Sequence, residues 1–94
     1  MRTIERSSTF KRDYKRVKAS PRHKKDLDSL VSAVVALLIA EQDLPNQYRD
    51  HALIGDWAGY RECHLKSDLL LIYRKPDGET LRLARLGSHS DLFG

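Results

Sequence analysis

Apolar and polar positions alternate with different periods along this 94-residue chain, and the changes of period mark its elements. The stretch Arg2 to Ser7 carries Thr3 and Ile4 and reads as a short first strand. Phe10, Tyr14 and Val17 then fall at i, i+4 and i+7, the single stripe of an amphipathic helix. Ser8 or Thr9 can open that helix, because a hydroxyl accepts the unpaired N–H groups of a first turn. Ser20-Pro21 restarts the chain with an N-cap residue and a proline whose missing N–H costs nothing at the first helical position. The second helix is predicted from Pro21 to Glu41. Leu27, Leu30, Val31, Val34, Leu37 and Leu38 keep the 3.6-residue period, and Val35 and Ile39 widen the stripe, so its second half is expected to be buried. "DLPNQYRDHALIGDWAG", residues 43–59, holds no sustained period and reads as a loop.

From Tyr60 the period drops to two. Tyr60, Glu62 and His64 alternate with Arg61, Cys63 and Leu65. "LLLIYR" (Leu69 to Arg74) is nearly all apolar, as expected of a central strand covered on both faces. Pro76-Asp77-Gly78 is a turn signal. In "TLRLARLG" (Thr80 to Gly87), strict alternation puts Leu81, Leu83 and Arg85 on one face and Arg82, Ala84 and Leu86 on the other. These three strands are expected to form an antiparallel meander, and "SHSDLFG" a short helical turn. The implied fold class is α+β: one domain spanning residues 1–94, in the order β-α-α-β-β-β, with a helical hairpin on one face of a small twisted antiparallel sheet. The other face is expected to be partly open, where a site can form.

Charge changes this picture at one end. Residues 1–25 carry ten Lys or Arg against Glu5 and Asp13, a net of +8; residues 26–94 carry a net of −4. Such a basic end suits a polyanion, most simply nucleic acid, or else is only a solvated helical face. No secretory signal follows Met1, and Leu30 to Ala40 is too short to cross a bilayer, so a cytoplasmic protein is expected, without a membrane partner. A single cysteine leaves no internal disulfide and no Cys-rich zinc site.

Residues 48–68 gather titratable groups beside aromatics. His51, Glu62, His64, Asp68, Arg85 and His89 are the candidates for chemistry. Imidazoles titrate near neutrality, so a pair can serve as base and acid at one pH. RNA cleavage needs that pairing: a base for the 2′-OH, an acid for the departing 5′-oxygen, and a cation for the phosphate. Each residue also has a bland reading. His51 can cap a loop, His64 can be a sheet-face histidine paired with Glu62 or Asp68, and His89 can be an exposed tail residue. Trp57, Tyr60 and Phe93 either pack or stack on a base. Cys63 points away from His64 and reads as a small buried hydrophobe. No H-x-x-x-H or H-E-x-x-H spacing supports a metal, and no Gly-rich loop supports nucleotide binding.

Three motifs in order, "DHxLxGxWxGYRxxH", then "D" with "LIY", then "RxGxHxxLF", closely resemble the YafQ branch of the RelE-like bacterial toxins, over essentially the whole chain. The resemblance implies a ribosome-dependent mRNA interferase of a type II toxin–antitoxin pair, cutting mRNA in the ribosomal A site without metal or other cofactor. It implies site residues at His51, His64, Asp68, Arg85, His89 and Phe93. His89 is expected as general acid, His51 or His64 as general base, Asp68 as a group orienting a histidine, Arg85 as the transition-state cation and Phe93 as a stacking wall. Relatives carry an aspartate where this chain has Glu62, one methylene longer, so Glu62 is not carried over. Lys11, Arg12, Lys15, Arg16, Lys18, Arg22, Lys24 and Lys25 are expected to hold ribosomal RNA phosphates. The implied partners are an antitoxin, the 70S ribosome with its mRNA, and operator DNA only through the antitoxin complex. The alternative from another class is a non-catalytic module that binds RNA, ribosome or antitoxin and blocks translation without cleavage.

Overall fold

In the computed structural model, which describes residues 2–94, the chain runs β1 (Thr3–Arg6), α1 (Ser8–Lys18), α2 (Leu27–Ile39), β2 (His51–Ala52), β3 (Arg61–Lys66), β4 (Leu69–Arg74), β5 (Thr80–Gly87) and α3 (His89–Phe93). The first five residues of β4 are all buried, as its apolar run requires. It pairs antiparallel with β3 on one side and β5 on the other. β1 adds in parallel to β5, and β2 adds antiparallel to β3, giving the order β1-β5-β4-β3-β2. The expected α+β order therefore holds, with two additions: the sheet is mixed rather than antiparallel throughout, and the predicted loop contributes a two-residue edge strand. Two exposed residues are too few to leave an alternation in the sequence.

One face of the sheet carries both long helices. Phe10, Val17, Leu27, Val34 and Leu38 pack there against Cys63, Leu71, Tyr73, Leu81, Leu83 and Leu86. The opposite face carries a smaller core of Leu70, Ile72, Ala84 and Leu92, flanked by Leu53, Trp57 and Tyr60. Trp57 and Tyr60 meet edge to face at 5.2 Å and are packing residues, and Arg74 lies 5.5 Å over the Tyr60 ring. Cys63 is fully buried, and burial pushes its thiol pKa up, so it stays protonated.

Two helix starts differ from expectation. The cap of α1 is Ser7, whose Oγ accepts from Phe10 N–H at 2.9 Å and donates to the Ala84 carbonyl at 2.8 Å. α2 begins at Leu27, not Pro21; residues 21–26 are turns. Arg22 to Asp26 hold no apolar side chain, so packing cannot stabilise that helical turn until Leu27, which is wholly buried.

The face assignment along β5 is also corrected. Tyr73 pairs with Leu83, but Ile72 pairs with Arg85 and Leu71 with Leu86. One extra residue, a β-bulge at Ala84-Arg85, therefore sits opposite Ile72. It returns Leu86 to the helix-side core and moves Arg85 to the face of Ile72, the reverse of strict alternation.

β1 ends before β5 does, so the outer edge of β5 from Ala84 onward has no strand beside it. Side chains of α1 and its cap take over. Ser7 Oγ meets the Ala84 carbonyl, Asp13 Oδ2 accepts from Leu86 N–H at 3.0 Å, and Arg16 Nη2 donates to the Leu86 carbonyl at 3.2 Å. Asp13 is 2% exposed. Its carboxylate also accepts from Arg85 at 2.7 and 3.2 Å and from Arg16 at 3.0 Å. Burial alone would push its pKa up. The hydrogen bonds from Arg85, Leu86 and Arg16, with the Arg85 charge, outweigh that and hold it below the ordinary 3.8. A carboxylate depressed in this way stabilises the fold above its unfolded pKa and loses that contribution as pH falls through its folded value. Urea midpoints followed from about pH 5 to about pH 2 are expected to fall more steeply for the wild type than for Asp13→Asn. Parallel pH dependences would contradict this assignment.

Candidate active site

The sheet register aligns the candidates. His51 pairs with Glu62, Glu62 with Ile72, and Ile72 with Arg85, one row across β2, β3, β4 and β5. His64 pairs with Leu70 and Leu70 with Gly87, the adjacent row on the same face. Laterally paired residues share a face, so His51, Glu62, His64 and Arg85 all stand on the side that α3 covers.

Glu62 sits between the two imidazoles. His51 Nε2 lies 3.6 Å from Glu62 Oε1, and His64 Nε2 lies 3.5 Å from the same oxygen. The Glu62 side chain is only 6% exposed; that of His51 is half exposed. His51 Nδ1 is 2.7 Å from the Arg49 carbonyl, which can only accept. Nδ1 therefore carries a proton, and Nε2 is the nitrogen that faces Glu62. Arg49 aims that carbonyl by adopting the left-handed region, φ 49°, which costs a non-glycine residue about 1 kcal/mol. The preceding segment is anchored by Asp50, whose carboxylate accepts from Tyr73 Oη at 2.5 Å and from Arg61 Nη2 at 3.0 Å. Burial and the bond to Asp50 push the Tyr73 pKa up, which keeps that hydroxyl a donor.

His89 opens α3. Ser88 and Asp91 close a capping box there: Ser88 Oγ accepts from Asp91 N–H at 3.1 Å, and Asp91 Oδ2 accepts from Ser88 N–H at 3.0 Å. Asp68, in the β3–β4 turn, accepts from the backbone N–H of His89 at 3.1 Å. It thus fixes His89 through the main chain. Phe93, one turn later, lies 5.0 Å from the His89 ring, tilted by 47°.

These elements enclose a cleft of about 530 Å³. His51 and Glu62 line it from the sheet, His89, Leu92 and Phe93 from α3, and Leu53, Ile54, Asp56 and Trp57 from the loop. His64 lines a neighbouring cleft with Tyr48, Arg49 and Lys66 instead. The rim carries two exposed hydrophobics, Ile54 (89%) and Phe93 (38%). Among the described residues, no three His, Cys, Asp or Glu side chains are arranged to hold a metal ion.

Arg85 does not project alone. Its Nε and Nη2 both donate to Asp13, and those bonds hold its guanidinium firmly charged. Arg16 joins the same cluster and reaches Asp91 of the capping box at 3.5 Å. A Cβ on Gly87 would lie 2.8 Å from Arg16 Nη2, so glycine there leaves room for the guanidinium. Arg16 therefore braces the site. Lys18 pairs with Asp28. Among the described residues, Lys11, Arg12, Lys15, Lys24 and Lys25 are exposed and make no ion pair within 4 Å.

The reading from sequence missed Asp13, Asp50 and Ile54 and set Glu62 aside. A signal existed for two of them. Asp13 lies three residues after Phe10 and four before Val17, on the apolar stripe. Glu62 alternates in phase with His64. Asp50 and Ile54 sit in an aperiodic loop that gives no such cue.

Residues 2–94 match the family described as bacterial toxin of type II toxin-antitoxin system, YafQ. The chain is 39% identical over 93 residues to the mRNA interferase toxin YafQ of Escherichia coli K12, covering 99% of this chain and 97% of that one. Its fold superposes on YafQ in the E. coli DinJ-YafQ complex with a TM-score of 0.84 at 37% identity, covering 100% of both chains. A metal-bound toxin from Helicobacter pylori is 48% identical with a TM-score of 0.85, covering 99% and 100%.

Removing the Asp68 carboxylate leaves the first N–H of α3 without its acceptor. Asp68→Ala is expected to cost α3 about 1 kcal/mol and to speed exchange of the His89 amide about fivefold. An unchanged rate would show that Asp68 does not hold the helix.

Proposed function

The chain belongs to the YafQ family of toxins from bacterial type II toxin–antitoxin systems, and on that premise we propose that it is an mRNA interferase that cleaves mRNA in the A site of translating ribosomes. The relative named mRNA interferase toxin supports the activity, and the DinJ-YafQ complex supports an antitoxin as the neutralising partner. Operator DNA is then contacted through the antitoxin. No helix of the described residues is long and apolar enough to cross a membrane, and the site of action is the cytoplasm, where ribosomes translate.

One observation carries the chemical reading: His51 and His89 line the same cleft, with Glu62 behind His51. We assign His51 as the base. With Nδ1–H held by the Arg49 carbonyl, Nε2 removes the proton from the 2′-OH. The freed oxygen attacks the adjacent phosphorus, and the bond to the 5′-oxygen breaks. His89 gives that oxygen a proton. Glu62 stabilises the imidazolium formed at His51, and His64, at 3.5 Å, steadies Glu62 from the neighbouring cleft. The Arg85 cation stabilises charge on the equatorial phosphate oxygens. Phe93 and Ile54 wall the base on either rim. The products are a 2′,3′-cyclic phosphate, or the 3′-phosphate from its hydrolysis, and a 5′-OH. Lys11, Arg12, Lys15, Lys24 and Lys25, joined by Lys18 and Arg22, bind ribosomal RNA phosphates.

Reconstituted translation with end analysis of the message tests this reading. Within-codon cuts that need ribosomes and leave 5′-OH ends are expected; 5′-phosphate ends refute the route. Arrest with intact message points to the blocking module. Single-turnover rates are expected to fall by about two to four decades in both His51→Ala and His89→Ala. Charge reversal at Lys11, Arg12, Lys15, Lys24 and Lys25 is expected to weaken ribosome binding and flatten its salt dependence. Unchanged binding would remove this surface from the interface.

A further inference from the structure

The buried carboxylate of Asp13 lies on the helix farthest in sequence from His51, His64 and His89, yet its donors include Arg85, in the sheet row of His51 and Glu62, and Arg16, which reaches the capping box of α3. Arg85 meets it through Nε at 2.7 Å and Nη2 at 3.2 Å, a two-point fork that fixes the plane of the guanidinium. Leu86 N–H, the next residue along β5, meets it at 3.0 Å. Arg16 carries the contact on to Asp91, whose carboxylate caps the helix bearing His89 and Phe93. From this geometry we propose that Asp13 is a positioning residue for cleavage: it holds Arg85 in the orientation that receives the transition-state phosphate, and through Arg16 it ties α1 to α3. The proposal rests on the role assigned to Arg85 above.

Arg85 sits at a bulge, at an edge of β5 with no strand beside it, so strand pairing alone does not set where its head lies. An arginine side chain has four rotatable bonds, and without a partner its head samples many positions in water. Asp13 removes that freedom from behind, where no substrate competes, and leaves Nη1 of Arg85 outside the fork. An asparagine at position 13 keeps the shape and one acceptor for Leu86. With its oxygen at the Oδ2 position it also keeps Arg85 Nε, but its amide turns a donor toward Arg85 Nη2 and Arg16 Nη1, so the two-point fork that fixes the guanidinium plane is lost while the bond to Leu86 remains.

A double-mutant cycle in ribosome-bound, single-turnover cleavage tests this, with folding checked by thermal melting and binding by ribosome pelleting. Asp13→Asn is expected to slow cleavage about tenfold to a hundredfold with ribosome affinity unchanged, the scale of a misplaced catalytic group. On an Arg85→Ala background the same substitution is expected to cost much less, because the group it positions is gone and only the tie through Arg16 to α3 is left to lose. Asp13→Glu, which keeps the carboxylate, is expected to restore part of the rate. If Asp13→Asn does not fold, the cycle is run with Asp13→Glu. A wild-type rate in folded Asp13→Asn overturns the proposal, and so does an equal loss on both backgrounds, which would mean a purely structural role. A wild-type rate in Arg85→Ala instead overturns the assignment of Arg85 on which the proposal stands.

Discussion

β5 runs past the end of β1, and its backbone groups on that side are buried against α1 rather than against another strand. Unpaired, each such group would cost as much as a lost hydrogen bond. Ser7, Asp13 and Arg16 supply the missing partners, one for each group in turn from Ala84 to Leu86. This arrangement ties α1 to the edge of the sheet. It also ends the sheet at Gly87, where the chain must turn into α3. The helix-side core and the mounting of Arg85 thus depend on the same short stretch of edge, and a buried carboxylate is tolerated there because its hydrogen-bond partners are all donors.

The site is built on rigid elements rather than on the loops around it. His51, Glu62 and Arg85 occupy one lateral row of a hydrogen-bonded sheet, and His89 stands at the capped start of a helix. Groups placed this way need little reordering when a substrate arrives, which preserves the advantage of orientation. The loop from Leu53 to Tyr60 contributes mainly apolar walls. That division suits the proposed function, in which the protein would supply acid, base and cation to a message presented by the ribosome.

Much of this was legible in the sequence because it is periodic. The stripe of Phe10, Tyr14 and Val17, the heptad-like run from Leu27 to Leu38 and the apolar β4 each carry a single clear period. The motifs that hold His51, His64, Asp68, His89 and Phe93 were equally visible, and the cleft contains three of those five. The features that escaped are those without a period. The bulge at Ala84-Arg85 breaks alternation with no glycine to mark it, so Arg85 was placed on the wrong face. The start of α2 was set too early because Ser20-Pro21 is a good opening signal, while the helix also needs apolar side chains to bury. Asp13 was counted as one charge among many, although its spacing from Phe10 and Val17 put it on the buried face. A carboxylate on an apolar stripe needs a buried cation or donor, and Arg85 supplies it.

In the proposed mechanism two imidazoles work as base and acid across one cleft. Its most direct test is the pH–rate profile of single-turnover cleavage on the ribosome for the wild type, His51→Ala and His89→Ala. The wild type is expected to give a bell, rising as the base loses its proton and falling as the acid loses its own. His51→Ala is expected to lose the rising limb and His89→Ala the falling one. A full bell surviving in either variant would contradict the account, since the missing limb would then belong to another group.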